Sequence, residues 1–429
     1  MNRNILGVTL LTATLGLLSS CGTSKKSQEG DGIVQKDMIV SKVAPGEMDK
    51  GYLILSDSQR EFVKKNNQLA LNFFSKVSGF DSKVISPLSL TYLMSMLANG
   101  ADGQTREEIL RTLGCEGTMS LDDLNAFCDW MMKNAAKQDP STTVKIANYI
   151  GLNEQYELNK DYAQKMNEWY QATAEKLNFS NSKTVDHING WCKKQTDGMI
   201  PSIIDQVDPQ AVAYLMNAIY FNGAWEDKFD KSETKLERFQ GYTRDIKKVQ
   251  MMHREGKYLY THNEMYSAIR MPYGNGSYSM YVLLPNSDKS IDEMMKSLDA
   301  EKLSSMTRHM DECLVDLKLP RFTSEQELGL NDIVSQLGAP SMFDASKANF
   351  ANFANGNVYV SKMLQKAKIE VSEEGTKAAA VTAAAIMLTS LQPNEPKRVQ
   401  FHADRPFVYM ITESETGSIY FMGQFTGEN

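Results

Sequence analysis

The side chains able to do chemistry in this chain fall into no recognisable catalytic pattern. The five histidines, His187, His253, His262, His309 and His402, are scattered, and none stands in a spacing that defines a metal site or a triad. Cys115, Cys128, Cys192 and Cys313 form no CxxC, and the nearest histidines, His187 and His309, each lie beside a single cysteine, which disfavours zinc. The nucleophile elbow GxSxG, the zinc helix HExxH, the phosphate loop GxxxxGKS/T and a GxGxxG after a strand are all missing from the sequence. A triad drawn from distant residues would leave no local motif, so a hydrolase remains the weaker alternative. An exported protein could oxidise its cysteines, but a chain this long needs no staples, and buried free thiols are the preferred reading.

One thiol does have a chemical context. MNRNILGVTLLTATLGLLSSC begins with an early Arg, runs apolar from Ile5 to Leu18 and ends in small residues at Cys21. That is the pattern of an export signal, too short and wrongly flanked for a spanning helix. Leu18-Ser19-Ser20-Cys21 resembles the bacterial lipobox, in which the cysteine is acylated and becomes the new first residue. Two or more acyl chains anchor stably where one binds marginally, so the expectation is a protein held on a bacterial membrane, at the outer membrane or cell surface, by its lipid. The plain alternative is an export signal with a chance cysteine. The expected organisation is a signal peptide over residues 1–20, a lipidated Cys21 with a polar tether over 21–55, and one folded domain over 56–429.

Composition narrows the partners. The 429 residues are 42% hydrophobic and 23% charged, as suits a large globular core, and the formal charge of -7 with no Lys/Arg cluster argues against nucleic acid. No cofactor or metal is expected, and the chain reads as a monomer.

The elements begin as helices and turn to strands. SDSQREFVKKNNQLALNFFSKVSG carries Phe62, Leu69, Ala70 and Phe73 in helical spacing after a Ser or Asp cap. SPLSLTYLMSMLANGADGQTREEILRTLG predicts a buried helix, a glycine turn and a second helix capped near Gln104-Thr105. LNEQYELNKDYAQKMNEWYQA predicts an amphipathic helix, and DHINGWCKKQTDGMI another that stops at Gly198. AVAYLMNAIYFNGAW, a hairpin through Tyr273-Gly274-Asn275-Gly276, CLVDLKLPRF, Val358 to Val371, and the last stretch with its Glu415-Thr416-Gly417 turn predict strands. The fold class is therefore α+β with antiparallel sheets.

After Val371 the alternation stops, and EEGTKAAAVTAAAIMLTS, Glu373 to Ser390, is too small for a core and too uncharged for an ordinary exposed loop. As an isolated string it also reads as an Ala-rich helix.

Five segments, SPLSLTYLMSMLANGADGQT, LMNAIYFNGAWEDKFD, DLKLPRF, VSKMLQKAKIEVSEEGTKAAA and RPFVYMITESETGSIYFMGQF, resemble successive signatures of the serpin superfamily, in the family's order and across nearly all of the chain after the tether. The resemblance implies a helical layer with three β-sheets and an exposed, insertable reactive loop. It implies an inhibitor that traps proteases covalently when the cut loop enters the central sheet, a known case of strand addition that releases stored strain. The hinge is then Glu373, Glu374, Gly375, Thr376, Lys377, Ala378, Ala379, Ala380, Val381 and Thr382. In a strand, Thr376, Ala378, Ala380 and Thr382 share one face and Lys377, Ala379, Val381 and Ala383 the other, with no proline or bulky side chain to block entry.

By the family's spacing the scissile bond is Thr389–Ser390, with Leu388 and Met387 as alternates; counting back from Arg405 would place it nearer Glu395. Ile386, Met387 and Leu388 suit elastase-like, chymotrypsin-like, subtilisin-like or papain-like proteases. No Lys or Arg occurs between Lys377 and Lys397, which disfavours trypsin-like ones. The resemblance also assigns sheet opening to Ser86, Asn217 and Trp225, and to Gln365, which stands where many members have histidine. The competing function is a non-inhibitory binding or chaperone-like surface protein of the same fold.

Overall fold

The computed structural model describes residues 55–77, 79–135, 137–375 and 396–427. The export signal, Cys21, the rest of the tether up to residue 54, hinge residues from Thr376 onward and the expected scissile bond lie outside them. Leu55, the last residue assigned to the tether, is buried in the main core.

Nine helices occur among the described residues: α1 (Asp57–Lys76), α2 (Pro87–Gly100), α3 (Gly103–Leu113), α4 (Leu121–Ala135), α5 (Lys160–Tyr170), α6 (Lys183–Gln195), α7 (Ile291–Ser297), α8 (Ala300–Arg308) and α9 (Asn331–Leu337). The strands are β1 (Lys83–Ile85), β2 (Thr142–Asn153), β3 (Thr173–Leu177), β4 (Ala213–Gly223), β5 (Lys235–Gln240), β6 (Ile246–His262), β7 (Tyr266–Tyr273), β8 (Tyr278–Pro285), β9 (Asp311–Pro320), β10 (Phe322–Gly329), β11 (Lys362–Val371), β12 (Arg398–His402), β13 (Phe407–Glu413) and β14 (Ile419–Phe425). None of the described helices is long and apolar enough to cross a membrane.

Local chemistry accounts for most boundaries. Ser56 caps α1 in a reciprocal capping box with Gln59, and Gly198, at φ +81°, donates to Lys193 O past the end of α6. The Tyr273–Tyr278 hairpin turns through Gly274 and Gly276, both at positive φ. Two expectations shift. The second helix of the glycine-turn pair starts a little earlier, at Gly103 after Asp102, which leaves Thr105 and Glu108 buried against the Ser341 turn. The predicted helix from Leu152 is helical only over α5, because its first residues complete β2, whose pairing with β4 runs through Leu152.

Five strands form one sheet in the order β10-β11-β4-β2-β3, and nine a second built around β6. The long β6 joins two wings, carrying β5 and β9 on most of its length and β7 on its last residues. Counting those wings apart gives the three sheets expected. The main core lies between the sheets and α2, whose residues are nearly all buried. The other face of the five-stranded sheet carries its own apolar layer, where Ile188 and Cys192 of α6 pack with Met216, Ala218 and Tyr220 of β4.

Candidate functional site

The site is the seam between β4 and β11. Every other contact of these two strands is antiparallel, but they pair with each other in parallel, from Lys362 opposite Tyr214 to Lys368 opposite Tyr220. A parallel pair has slanted hydrogen bonds and is slightly the weaker kind.

A row of buried polar side chains crosses this seam. Gln365 stands opposite Asn217, which stands opposite Asn148 of β2. Gln365 Oε1 accepts from Ser86 N at 2.9 Å and its Nε2 donates to Ser86 O at 2.7 Å, so one amide satisfies both backbone groups of the residue that caps α2. Ser86 Oγ donates to Tyr420 O at 2.7 Å, tying the row to β14. Asn217 Nδ2 donates to Asn148 Oδ1 at 2.7 Å, and Asn148 Nδ2 donates to Tyr170 O at 2.8 Å. Ser86, Asn217 and Gln365 are fully buried, yet Asn217 Oδ1 has no hydrogen-bond partner. A buried acceptor left unpaired is costly, by about 1–3 kcal/mol.

At the end of β11 the chain reverses. Ser372 N donates to Gly375 O at 2.8 Å and Gly375 N to Ser372 O at 3.1 Å, closing a two-residue turn over Glu373 and Glu374. Gly375 is also bridged antiparallel to Ala224, just past β4, and sits at φ +122°. A Cβ there would lie 2.2 Å from Gly223 O and 2.6 Å from Trp225 N, so both the conformation and the close approach require glycine. Trp225 holds this turn: its N–H donates to Glu374 O at 3.0 Å, its Nε1 donates to Ser372 O at 2.9 Å, and its ring stacks on Tyr273 at 4.3 Å.

The two glutamates are anchored separately. Glu373, 3% exposed, accepts from Thr234 Oγ1 at 2.8 Å and lies 3.5 Å from the Arg321 guanidinium. Glu374 pairs with Lys228 at 2.8 Å and Lys231 at 3.2 Å; hydrogen bonds first from Lys228 and then from Lys231 hold its carboxyl below the usual range. Phe229 N donates to Glu373 O at 2.9 Å, completing the backbone side of the anchor.

The structure thus brings Ser86, Asn217 and Gln365 into one row, and Trp225, Glu373, Glu374 and Gly375 into one turn above it. Asn148, Thr234, Arg321, Lys228 and Lys231 belong to the same arrangement and were not singled out from the sequence; only the strand pairing brings them in. The four described cysteines are free and buried, and burial pushes the thiols of Cys115, Cys128 and Cys192 up to about 12, far from reactive. Two of the scattered histidines do meet, away from the seam. His253 and His402 lie at 2.8 and 3.0 Å from opposite oxygens of Asp316, clamping β12 to its neighbours. Burial opposes ionisation of Asp316, but the hydrogen bonds from His253 and His402 hold its carboxyl below the usual range.

A family model described as Serpin (serine protease inhibitor) matches residues 64–427. Serpin B6 of Macaca fascicularis is 30% identical over 371 residues, covering 84% of this chain and 98% of that protein. Leukocyte elastase inhibitor of Homo sapiens is 30% identical over 377 residues, covering 84% and 98%. Among solved structures, the thermophilic serpin tengpin in its native state superposes with a TM-score of 0.77 at 30% identity, covering 90% of this chain and 96% of that one. Native protease nexin-1 with heparin gives 0.76 at 27% identity, covering 86% and 99%.

Proposed function

The chain belongs to the serpin family, and from that premise we propose that it is a single-use trap, in which a protease cuts the segment after Gly375 and is captured as that segment enters the seam between β4 and β11. The chain is a protease inhibitor, not an enzyme, and proteases are its partners.

The observation that carries the mechanism is the turn at Ser372–Gly375. A strand continued from Gly375 into the seam in the sense of its two bridges would run back down the sheet, antiparallel to both neighbours. Each step along the new strand moves one residue down each neighbour. Thr382, seven residues past Gly375, therefore arrives level with Asn217, seven before Ala224, and with Gln365, seven before Ser372. The two counts agree with the pairing of Gln365 with Asn217 already present. Thr382 would bring its hydroxyl to the row containing the unpaired Asn217 Oδ1.

The same register sets the faces. Thr376, Ala378, Ala380 and Thr382 fall on the main-core side with Ile219 and Phe221, and their small size lets them enter without overpacking. Lys377 falls on the other face, opposite Glu370, so the only charge of the hinge beyond Gly375 finds a counter-charge. Insertion exchanges one parallel ladder for two antiparallel ones. A net gain on the order of ten hydrogen bonds at about 1 kcal/mol each gives about 10 kcal/mol, comparable to a domain's whole stability.

The presented bond is proposed as Thr389–Ser390, with Leu388 and Met387 as alternates, for elastase-like, chymotrypsin-like, subtilisin-like and papain-like proteases. The test mixes the protein with one protease of each kind and with trypsin, followed by denaturing gels and N-terminal sequencing of the released fragment. A band of combined mass that survives denaturation supports the trap, and the fragment's first residue identifies the bond. Cleavage throughout the panel with no such band and no loss of protease activity refutes it, and leaves a serpin fold serving as a binding surface.

The lipobox-like ending supports a further part of the proposal: export, acylation of Cys21 and a monomeric inhibitor held on a bacterial membrane, at the outer membrane or cell surface, by its lipid. Metabolic labelling with a palmitate analogue, lost in Cys21→Ser, tests it.

A further inference from the structure

Lys83, the first residue of β1, is a buried cation that makes no ion pair, with Asp292 acting on it only from across the cavity it lines. It is 8% exposed, its ammonium donates to Val77 O at 2.5 Å and lies 4.7 Å over the Phe74 ring, and among the described residues no carboxylate is within ion-pair distance. Burial holds the amine below the ordinary lysine range. An ammonium taken out of water and left unpaired is costly unless something supplies the missing charge.

Lys83 also lines a cavity of about 430 Å³ between the second half of α1 and α7, a size typical of small-molecule sites. Leu71, Phe74, Val77, Met295 and Leu298 give the walls an apolar stretch, with Gln68, Asn72, Lys296 and Gln424 making up much of the rest. Phe80, 62% exposed, marks its solvent side and packs against Tyr242, ring centres 4.7 Å apart. Asp292 also lines it and accepts from Tyr242 Oη at 2.8 Å. That carboxylate is exposed and favours the charged form of Lys83, and Lys296 on the same lining adds a second cation. Two ammonium groups against one carboxylate leave the cavity a single positive charge, which matches one carboxylate better than a multiply charged head group.

We propose that this cavity binds a small aliphatic monocarboxylic acid, its carboxylate accepting from Lys83 Nζ and its chain lying against Leu71, Phe74 and Met295. The occupant is independent of the seam, since no residue of the cavity belongs to the turn or to the polar row. An alcohol of equal chain length would keep the apolar contacts and lose the charge-assisted bond.

The test is calorimetric titration of the full chain with decanoate and with decanol. Decanoate should bind saturably and about tenfold or more tighter than decanol, since a hydrogen bond to a charged group contributes at least that much. Lys83→Met keeps the stem and should erase the difference between the two probes. Met295→Trp fills the chain's end of the cavity and should abolish both, with protease inhibition and melting temperature close to the parent's. Equal affinity for the two probes, no saturable binding at millimolar decanoate, or decanoate binding that survives Met295→Trp would each overturn the assignment. Should Lys83→Met fail to fold, Met295→Trp decides alone.

Discussion

Thr382→Val isolates the register proposed for insertion, because it changes a hydroxyl to a methyl of nearly the same shape. In the uncut protein Asn217 Oδ1 is already without a partner, so removing the hydroxyl should leave that state unchanged. In the cut, inserted state the same oxygen would lose its only new donor, at about 1–3 kcal/mol for a buried acceptor left unpaired. For a chain of this size that corresponds to a lowering of roughly 2–6 °C in melting temperature, at about 2 °C per kcal/mol. The cut form is best made with a metalloprotease, whose metal-bound water leaves no acyl intermediate to trap. Guanidinium unfolding of cut and uncut forms then gives the two stabilities, and Asn217→Ala completes a double-mutant cycle. Coupling between the two positions in the cut form, and none in the uncut form, is the expected result. A cut Thr382→Val protein that unfolds with the parent, or a coupling equal in both forms, would refute the register, since a strand displaced by two residues would bring Ala380 or Ala384 to that row instead.

Thr376→Arg puts a charge on the core-facing side of the entering strand and should convert the inhibitor to a substrate, with complex on denaturing gels falling while the uncut melting temperature holds. Gln365→His leaves at least one of the two Ser86 backbone groups without its present partner and should lower the uncut stability by about 1–3 kcal/mol; unchanged melting and unchanged complex yield would remove any role for this position. Glu374 has a folded pKa depressed by Lys228 and Lys231, so its contribution is fully present above the ordinary carboxylate value and is lost as pH falls through the depressed one. Glu374→Gln should accordingly flatten the acid limb of the uncut protein's stability profile below about pH 4.5 and leave neutral pH little affected; an unaltered acid limb would show that the pair contributes nothing.

What was legible in the sequence was what depends on neighbours along the chain. Ser56 with Gln59 specifies its helix start, and the Gly274–Gly276 turn specifies its hairpin, without reference to anything distant. Leu152 to Leu158 misled because its apolar spacing suits a helix, whereas pairing with β4 commits its first residues to β2. The anchors of the turn were illegible for a related reason. Thr234 and Glu373 are 139 residues apart, and lysines such as Lys228 and Lys231 carry no local sign of the carboxylate they will meet. Asp316 gathers His253 and His402 from two other strands in the same way.

The seam shows why neither level suffices alone. Smallness and lack of charge from Ala378 to Ala385 are local properties, readable as fitness to enter a packed sheet, but they do not say where the strand goes. The destination we propose follows from two bridges at Gly375, one to Ser372 and one to Ala224, and from the pairing of Gln365 with Asn217. Because side chains alternate strictly, a slip of one residue would turn Thr382 away from Asn217 and Lys377 toward the core. Burying that ammonium without a partner would cost several kcal/mol, a large share of the roughly 10 kcal/mol that the proposed insertion would supply. The proposed register would therefore be enforced from both ends, by the glycine turn at entry and by the charge that has only one tolerable face.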